Sequence, residues 1–250
     1  MSLDPYESEQ LLREYLLFHY GSAEEVLPHA FGPRDALDFP RRCVSECLDP
    51  ETLPSRARAL DLGCAVGRSS FELARFCGEV IGLDASESFI GTANRLQRDG
   101  ALDYKYKLVG EIYKPARAVV PAEIDRSRVR FQLGDAQRLS DSLGRFDVVL
   151  AANLLCRLPE PARLLNRLPA LLKPGGRLIL CSPYTWLESF TLPENWLGGA
   201  PEKGEPLQAI EQALFPAFEK LAVKDMPFLI REHARKYQWS VAQASTWRRL

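Results

Sequence analysis

The sequence predicts an α/β domain built on a mostly parallel sheet that closes on an antiparallel hairpin. Three observations predict it. Short, nearly continuous apolar runs at residues 59–62, 80–83, 129–133, 146–151 and 177–181 alternate with helical stretches, as strands buried on both faces by crossover helices do. The last two runs, 228–231 and 237–244, are separated by too few residues for a crossover helix, so they must pair antiparallel. The first run passes through a turn with Gly63 and Gly67 into an amphipathic segment, and the second ends on Asp84, the layout of a nucleotide-binding α/β unit. With 250 residues, 46% hydrophobic and 26% charged, the chain suits one large domain with additions and excludes wholesale disorder.

The elements follow in order. Residues 6–20 (YESEQLLREYLLFHY) place Leu11, Leu12, Tyr15, Leu16 and His19 at helical spacing and stop at Gly21. Pro40 opens a shorter helix over 41–48. Together they make an N-terminal helical cap, residues 1–55, ahead of a core spanning 56–250. In the core, residues 59–70 read ALDLGCAVGRSS, and Phe71, Leu73, Ala74 and Phe76 give the following helix its apolar face. Gly134-Asp135-Ala136 follows the third strand and Asn153 the fourth, while Lys173-Pro174-Gly175-Gly176 stops a helix and turns into the fifth. Two inserts depart from a minimal domain. Residues 100–128 are rich in Tyr, Lys and Pro; residues 187–206 hold Trp196 beside Gly198 and Gly199. Loops of that length are usually functional or disordered. The second lies at the carboxyl edge of the sheet, where ligands bind, and its glycines favour a lid that excludes water.

Bulk properties narrow the function. Net charge is −1, which disfavours a nucleic-acid partner, and the chain lacks an Asn/Asp-Pro-Pro-aromatic signature for base amino groups. The N-terminus (MSLDPYESEQ) is acidic, without an apolar h-region, and no apolar run approaches the ~20 residues of a membrane span. A soluble, cytoplasmic protein with no membrane partner is expected. Six cysteines (Cys43, Cys47, Cys64, Cys77, Cys156, Cys181) form no CxxC pair and read as reduced, mostly buried thiols. Three histidines (His19, His29, His233) show no metal spacing, so no metal is expected.

The glycine turn separates the candidate cofactors. A dinucleotide fingerprint is G-x-G-x-x-G, because a pyrophosphate must sit on a helix N-terminus. Here the pattern is Asp-x-Gly-x-x-x-Gly, with Asp61 at the strand end. A carboxylate there repels pyrophosphate but suits a ligand bearing an ammonium and a sulfonium. The stretch resembles motif I of the class I S-adenosylmethionine (SAM) methyltransferases. That resemblance implies a Rossmann-like fold with a seven-stranded sheet and helices on both faces. It implies SAM as cofactor, with S-adenosylhomocysteine as product. The cofactor would be held by Asp61, Gly63, Cys64, Ala65 and Gly67, by Asp84 and Ala85 at the ribose, by Gly134, Asp135 and Ala136 at the adenine, and by Asn153 near the methyl group. Asp135 reads equally as a helix N-cap and Asn153 as a turn residue.

Further pieces are more specific: EYLLFHYG, FPRRCV, ALDLGCAVGRSSFELAR, AANLLCRLP, SPYTWLE and PFLIREHARKYQWSVAQASTWRR. Over nearly the whole chain these resemble the 4-mercaptohistidine (5-thiohistidine) N-methyltransferases of ovothiol biosynthesis. The resemblance implies methylation of the imidazole nitrogen nearer the side-chain attachment (N-π), on a small thiol-histidine substrate. The family's domain is often fused behind a sulfoxide synthase, which here would be a separate functional partner.

Such transfer depends on positioning and on a free nitrogen lone pair, hence on the imidazole tautomer. By residue type, His233, Glu232 and Tyr184 are candidate bases, although a thiolate on the ring makes a strong base unnecessary. Arg231, then Arg41, suits the α-carboxylate; Glu232, Tyr15 or Trp186 suits the α-ammonium. Tyr15, His19, Tyr184, Trp186, Arg231, Glu232 and His233 are thus the expected acceptor residues. Two rival functions remain at this point: methylation of another small acceptor, or a catalytically silent SAM-binding subunit.

Overall fold

The computed structural model describes residues 5–250; the first four residues of the acidic N-terminus lie outside that range. The cap consists of α1 (Glu9–Tyr20), α2 (Ala23–Val26) and α3 (Phe39–Ser45). Ser8 accepts the Leu11 N–H at the start of α1, and Gly21 ends it. Proline enters α3 in its first turn, as expected at Pro40.

The core begins with β1 (Arg58–Leu62), α4 (Arg68–Leu73), β2 (Glu79–Asp84) and α5 (Glu87–Asp99). A hairpin follows, β3 (Ala101–Val109) and β4 (Ile112–Val119). Then come β5 (Val129–Leu133), β6 (Phe146–Ala152), α6 (Pro161–Leu171), β7 (Leu172–Ser182), α7 (Pro206–Leu214), β8 (Phe218–His233) and β9 (Lys236–Arg249). The main sheet runs β5-β2-β1-β6-β7-β9-β8. Neighbours are parallel from β5 to β7, and β9 is antiparallel to both β7 and β8. This is the seven-stranded, Rossmann-like sheet that the motif I resemblance implied, closed by the antiparallel hairpin read from the last two apolar runs.

Strand periodicity divides the core between the two faces of the sheet. Ala59, Val148 and Leu150 pack with Phe71, Ala93 and Leu96 on one side. Leu60, Leu62 and Val149 pack with Leu164 and Leu168 on the other. Asp61 falls on the first face, against α4.

The sequence pattern understated three regions. Within residues 100–128, β3 and β4 form a separate two-stranded antiparallel sheet that packs against α1, with β3 also meeting β8. Its signal was an alternation of Leu102, Tyr104, Tyr106 and Leu108 with Asp103, Lys105 and Lys107. The closing hairpin is longer than its apolar runs, because residues 219–225 of β8 are mostly exposed on both faces and interleave charged with apolar residues. Residues 187–206 hold a short 3-10 turn, Pro193–Asn195, and an isolated bridge between Ala200 and Gly204 before α7 begins at Pro206, and they are tied down. Thr191 Oγ1 donates to the Leu158 carbonyl at 2.7 Å, and Trp196 Nε1 to the Thr191 carbonyl at 2.8 Å.

Candidate active site

The carboxyl ends of β1, β2 and β6 form the floor of a cavity of about 220 Å³. Gly63 (φ 70°) and Gly67 (φ 87°) carry the turn after β1 in left-handed conformations that L residues rarely adopt. A Cβ on Gly67 would also stand 2.5 Å from Phe131 Cζ. The Gly67 N–H donates to the Cys64 carbonyl at 2.9 Å, and the Gly63 N–H to Leu83 at 2.8 Å, which binds the turn to β2. At the tip of β2, Asp84 accepts the N–H groups of Ala65 and Ser86, both at 2.9 Å. Asp61 accepts the Ser70 hydroxyl at 2.6 Å. Ala65 (φ 46°) and Asn153 (φ 54°) are non-glycine residues in the left-handed region, and both line the cavity. Strain of this kind gathers at functional sites.

The roof is aromatic. Tyr15, Phe18 and His19 come from α1 and Phe39 from α3, with Tyr6, Phe89 and Phe190 completing the wall. Tyr15 and Phe89 meet at 4.9 Å between centroids, and Tyr15 and His19 stack at 5.8 Å. Two bonds fasten cap to floor: Tyr20 Oη donates to the Val66 carbonyl at 2.8 Å, and Ser69 Oγ to the Pro40 carbonyl at 2.9 Å.

Burial sets the charges. Asp61 is 2% exposed; desolvation, with Asp84 nearby and against the Ser70 bond, pushes its carboxyl up to about 7. Burial raises Asp84 as well, opposed by the backbone N–H groups it accepts. Neither carboxylate makes an ion pair among the described residues. His19 is driven down to about 3 by burial and by Arg68, so its imidazole is neutral at physiological pH. Two buried polar atoms of the lining, His19 Nδ1 and Asn153 Oδ1, have no hydrogen-bond partner, the mark of a site that a ligand completes.

These residues fit a nucleoside carrying a cationic amino-acid tail. A cation beside Asp61 would restore its ionised form, Asp84 at the tip of β2 suits ribose hydroxyls, and the two glycines let a ligand approach the backbone. Gly134, Asp135 and Ala136 line the same cavity, and Asp135 Oδ1 accepts the Gln137 N–H at 2.8 Å as a turn cap.

Two family models, both described as a methyltransferase domain, match residues 60–180 and 121–248. The chain belongs to this methyltransferase family. Among relatives, the ubiquinone biosynthesis O-methyltransferase of Methylococcus capsulatus is 27% identical over 181 residues, covering 70% of this chain and 66% of that protein. The same enzyme of Coxiella burnetii is 30% identical over 119 residues, covering 48% and 40%. The chain thus spans from two fifths to two thirds of the length of these curated relatives. Among solved structures, the SAM-bound magnesium protoporphyrin IX methyltransferase of Synechocystis PCC 6803 superposes with a TM-score of 0.55 at 17% identity, covering 100% of this chain and 99% of that one. A SAM-dependent methyltransferase of Methanosarcina mazei gives 0.54 at 20%, covering 80% and 95%. Both share the fold.

Of the residues expected at the cofactor, all but Gly67 line the cavity directly: Asp61, Gly63, Cys64, Ala65, Asp84, Ala85, Gly134, Asp135, Ala136 and Asn153. Gly67 shapes the turn from behind, against Phe131. The acceptor expectations divide. Tyr15 and His19 line the cavity; Tyr184, Trp186, Arg231, Glu232 and His233 do not. Strand alternation is the reason for Arg231: Ile230 reaches the cavity, and its neighbour points to the opposite face. There Arg231, 4% exposed, donates to the Glu25 carbonyl and lies 5.2 Å over the Tyr106 ring. Glu232 pairs with Lys236 at 2.6 Å and accepts from Gln238. His233 Nδ1 accepts the Arg235 N–H at 3.3 Å within the hairpin turn. Tyr184, itself left-handed at φ 52°, donates to Gln243 at 3.0 Å beside α7, and burial raises its phenol to about 12. Trp186 packs beside Gly199. Arg41, the second choice for the carboxylate, pairs loosely with Asp38 outside the cavity. Sequence reasoning missed Tyr6, Phe18, Phe39, Phe89, Arg157, Phe190 and Ile230. Most are ordinary apolar residues that only the fold brings together.

Among the described residues no cluster of His, Cys, Asp or Glu is arranged to hold a metal ion, and no helix is long and apolar enough to cross a membrane.

Proposed function

We propose that this methyltransferase acts on a ring nitrogen of 4-mercaptohistidine, giving the N-π-methylated thiol-histidine, ovothiol. One observation carries the reading. Five of the six sequence pieces that resemble the thiohistidine methyltransferases, far apart in the chain, each bring at least one residue to one cavity, whereas SPYTWLE lies outside it. EYLLFHYG supplies Tyr15, Phe18 and His19; FPRRCV supplies Phe39 and Pro40; AANLLCRLP supplies Asn153 and Arg157; PFLIREHARK supplies Ile230.

When bound, SAM supplies an electrophilic methyl group on a sulfonium. The chain's own residues then have to orient the acceptor and keep water out. An aromatic chamber suits a flat imidazole. His19, with a conjugate acid near 3, removes no proton at neutral pH. The expected bases His233, Glu232 and Tyr184 stand elsewhere. A ring already made electron-rich by its thiolate needs no such base. The acceptor would come from a separate sulfur-installing enzyme of the sulfoxide synthase class, and a cytoplasmic location accords with a thiol substrate. A phenolic acceptor is the second reading, favoured by the names of the O-methyltransferase relatives.

The test is mass spectrometry of products after incubation with SAM and 4-mercaptohistidine, histidine or a catechol. One methyl on the ring nitrogen, dependent on the thiol, is expected. Methylation of the catechol in preference to 4-mercaptohistidine would overturn the reading.

A further inference from the structure

Arg157 is the one Lys or Arg side chain lining the cavity among the described residues. It follows β6 in a 3-10 turn, Leu155–Arg157, and its guanidinium is held in place from several sides. Nε donates to the Tyr6 hydroxyl at 3.2 Å, and Nη1 to the carbonyls of Cys156 and Thr185, each at 3.0 Å. The group lies 5.1 Å over the Phe190 ring. Nη2 has no hydrogen-bond partner among the described residues, and no carboxylate pairs with the group. A positive charge already fixed in position, with both N–H groups of Nη2 unspent, is a pre-organised anion site.

We propose that Arg157 anchors the α-carboxylate of the acceptor amino acid, and so sets the enzyme's preference for an amino acid over the matching amine. The inference rests on the proposed acceptor class. Charge matching supports it. Asp61, the buried acid at the floor, suits a cation, and Arg157 is, among the described residues, the only cationic side chain in the lining that a carboxylate entering the chamber could meet. Left unpaired it would be costly to bury. The cofactor also carries a carboxylate, which is the competing source of the same chemistry. The partners of Arg157 come from the N-terminal turn and from the segment after β7, whereas the glycine turn is clasped by Tyr20 and Pro40. The Tyr6 carbonyl also accepts the Ser86 hydroxyl beside Asp84 at 3.1 Å, so cofactor affinity and acceptor preference, measured separately, tell the two carboxylates apart.

The test compares wild type, Arg157→Gln and Arg157→Lys with two probes, 4-mercaptohistidine and its decarboxylated amine. Calorimetry on the S-adenosylhomocysteine complex reads binding without turnover, and kcat/KM is measured alongside. Wild type should favour the amino acid by about tenfold or more, the scale of one hydrogen bond to a charged group. Arg157→Gln should lose that preference and Arg157→Lys keep part of it, with cofactor affinity changed less than about twofold. Equal losses for both probes would overturn the anchor, as would weakened cofactor binding with the preference intact, which would give the residue to the cofactor carboxylate. A wild type that binds 4-mercaptohistidine with the stated preference but never methylates it would sink the proposed reaction and leave the anchor standing. Absence of binding by either probe would overturn both.

Discussion

Replacing Asp61 by Asn should stabilise the cofactor-free protein at neutral pH while weakening its hold on the cofactor. The carboxyl is 2% exposed and its pKa is raised from 3.8 to about 7, chiefly by burial, so the folded state binds a proton that the unfolded state releases. Stability tied to that proton is fully present below about pH 4 and is lost as pH rises to 7, beyond which it stays lost. Roughly three pKa units at 1.36 kcal/mol each set the loss at roughly 4 kcal/mol. An amide keeps the Ser70 contact without the charge, so Asp61→Asn should match wild type near pH 4 and exceed it at pH 8 by up to that amount. The cofactor reverses the order, because its cation compensates the ionised acid and stabilises only the folded state. Urea unfolding at pH 5 and pH 8, with and without S-adenosylhomocysteine, reads both effects. The reasoning fails if the cofactor-free variant is less stable than wild type at pH 8, or if it binds cofactor equally well.

Two further substitutions separate architecture from chemistry. Gly67→Ala forces a left-handed alanine and sets its Cβ 2.5 Å from the Phe131 ring; a loss of several kcal/mol in denaturant unfolding is expected, with cofactor binding falling in step. Arg231→Ala removes a buried cation that joins β8 to the Glu25 carbonyl and the Tyr106 ring. It should cost about 2–4 kcal/mol of stability yet leave the folded enzyme's preference for a carboxylate-bearing acceptor intact, whereas loss of that preference would return the anchor to Arg231.

Where sequence sufficed, and where it did not, follows from what each feature depends on. The parallel strands and the floor of the site are local: Asp61, Gly63 and Gly67 fall within seven residues of one another, and Asp84 ends the next strand. A short-range pattern of strand, turn and carboxylate therefore reads directly as a cofactor site. The β3–β4 hairpin was legible in principle, since its aromatic and aliphatic residues alternate with charged ones, but the density of Tyr, Lys and Pro masked that period. The acceptor side is different in kind. Arg231, Glu232 and His233 have the right chemistry by residue type, yet one residue's step along β8 decides between cavity and outer face, and sequence alone does not fix the register. Arg157 lies in AANLLCRLP, where the resemblance drew attention to Asn153 and nothing local marks the arginine as a binding residue. It gains a function only because Tyr6 and Thr185, 151 and 28 residues away in sequence, hold its guanidinium at the wall of the aromatic chamber. A charge acquires a role from what fixes it and from what it lacks: Arg231 is engaged by a carbonyl and a ring, whereas Arg157 lines the cavity and keeps Nη2 unspent. Discrimination between those two arginines is accordingly the sharpest measure of whether the enzyme recognises its substrate through this cavity.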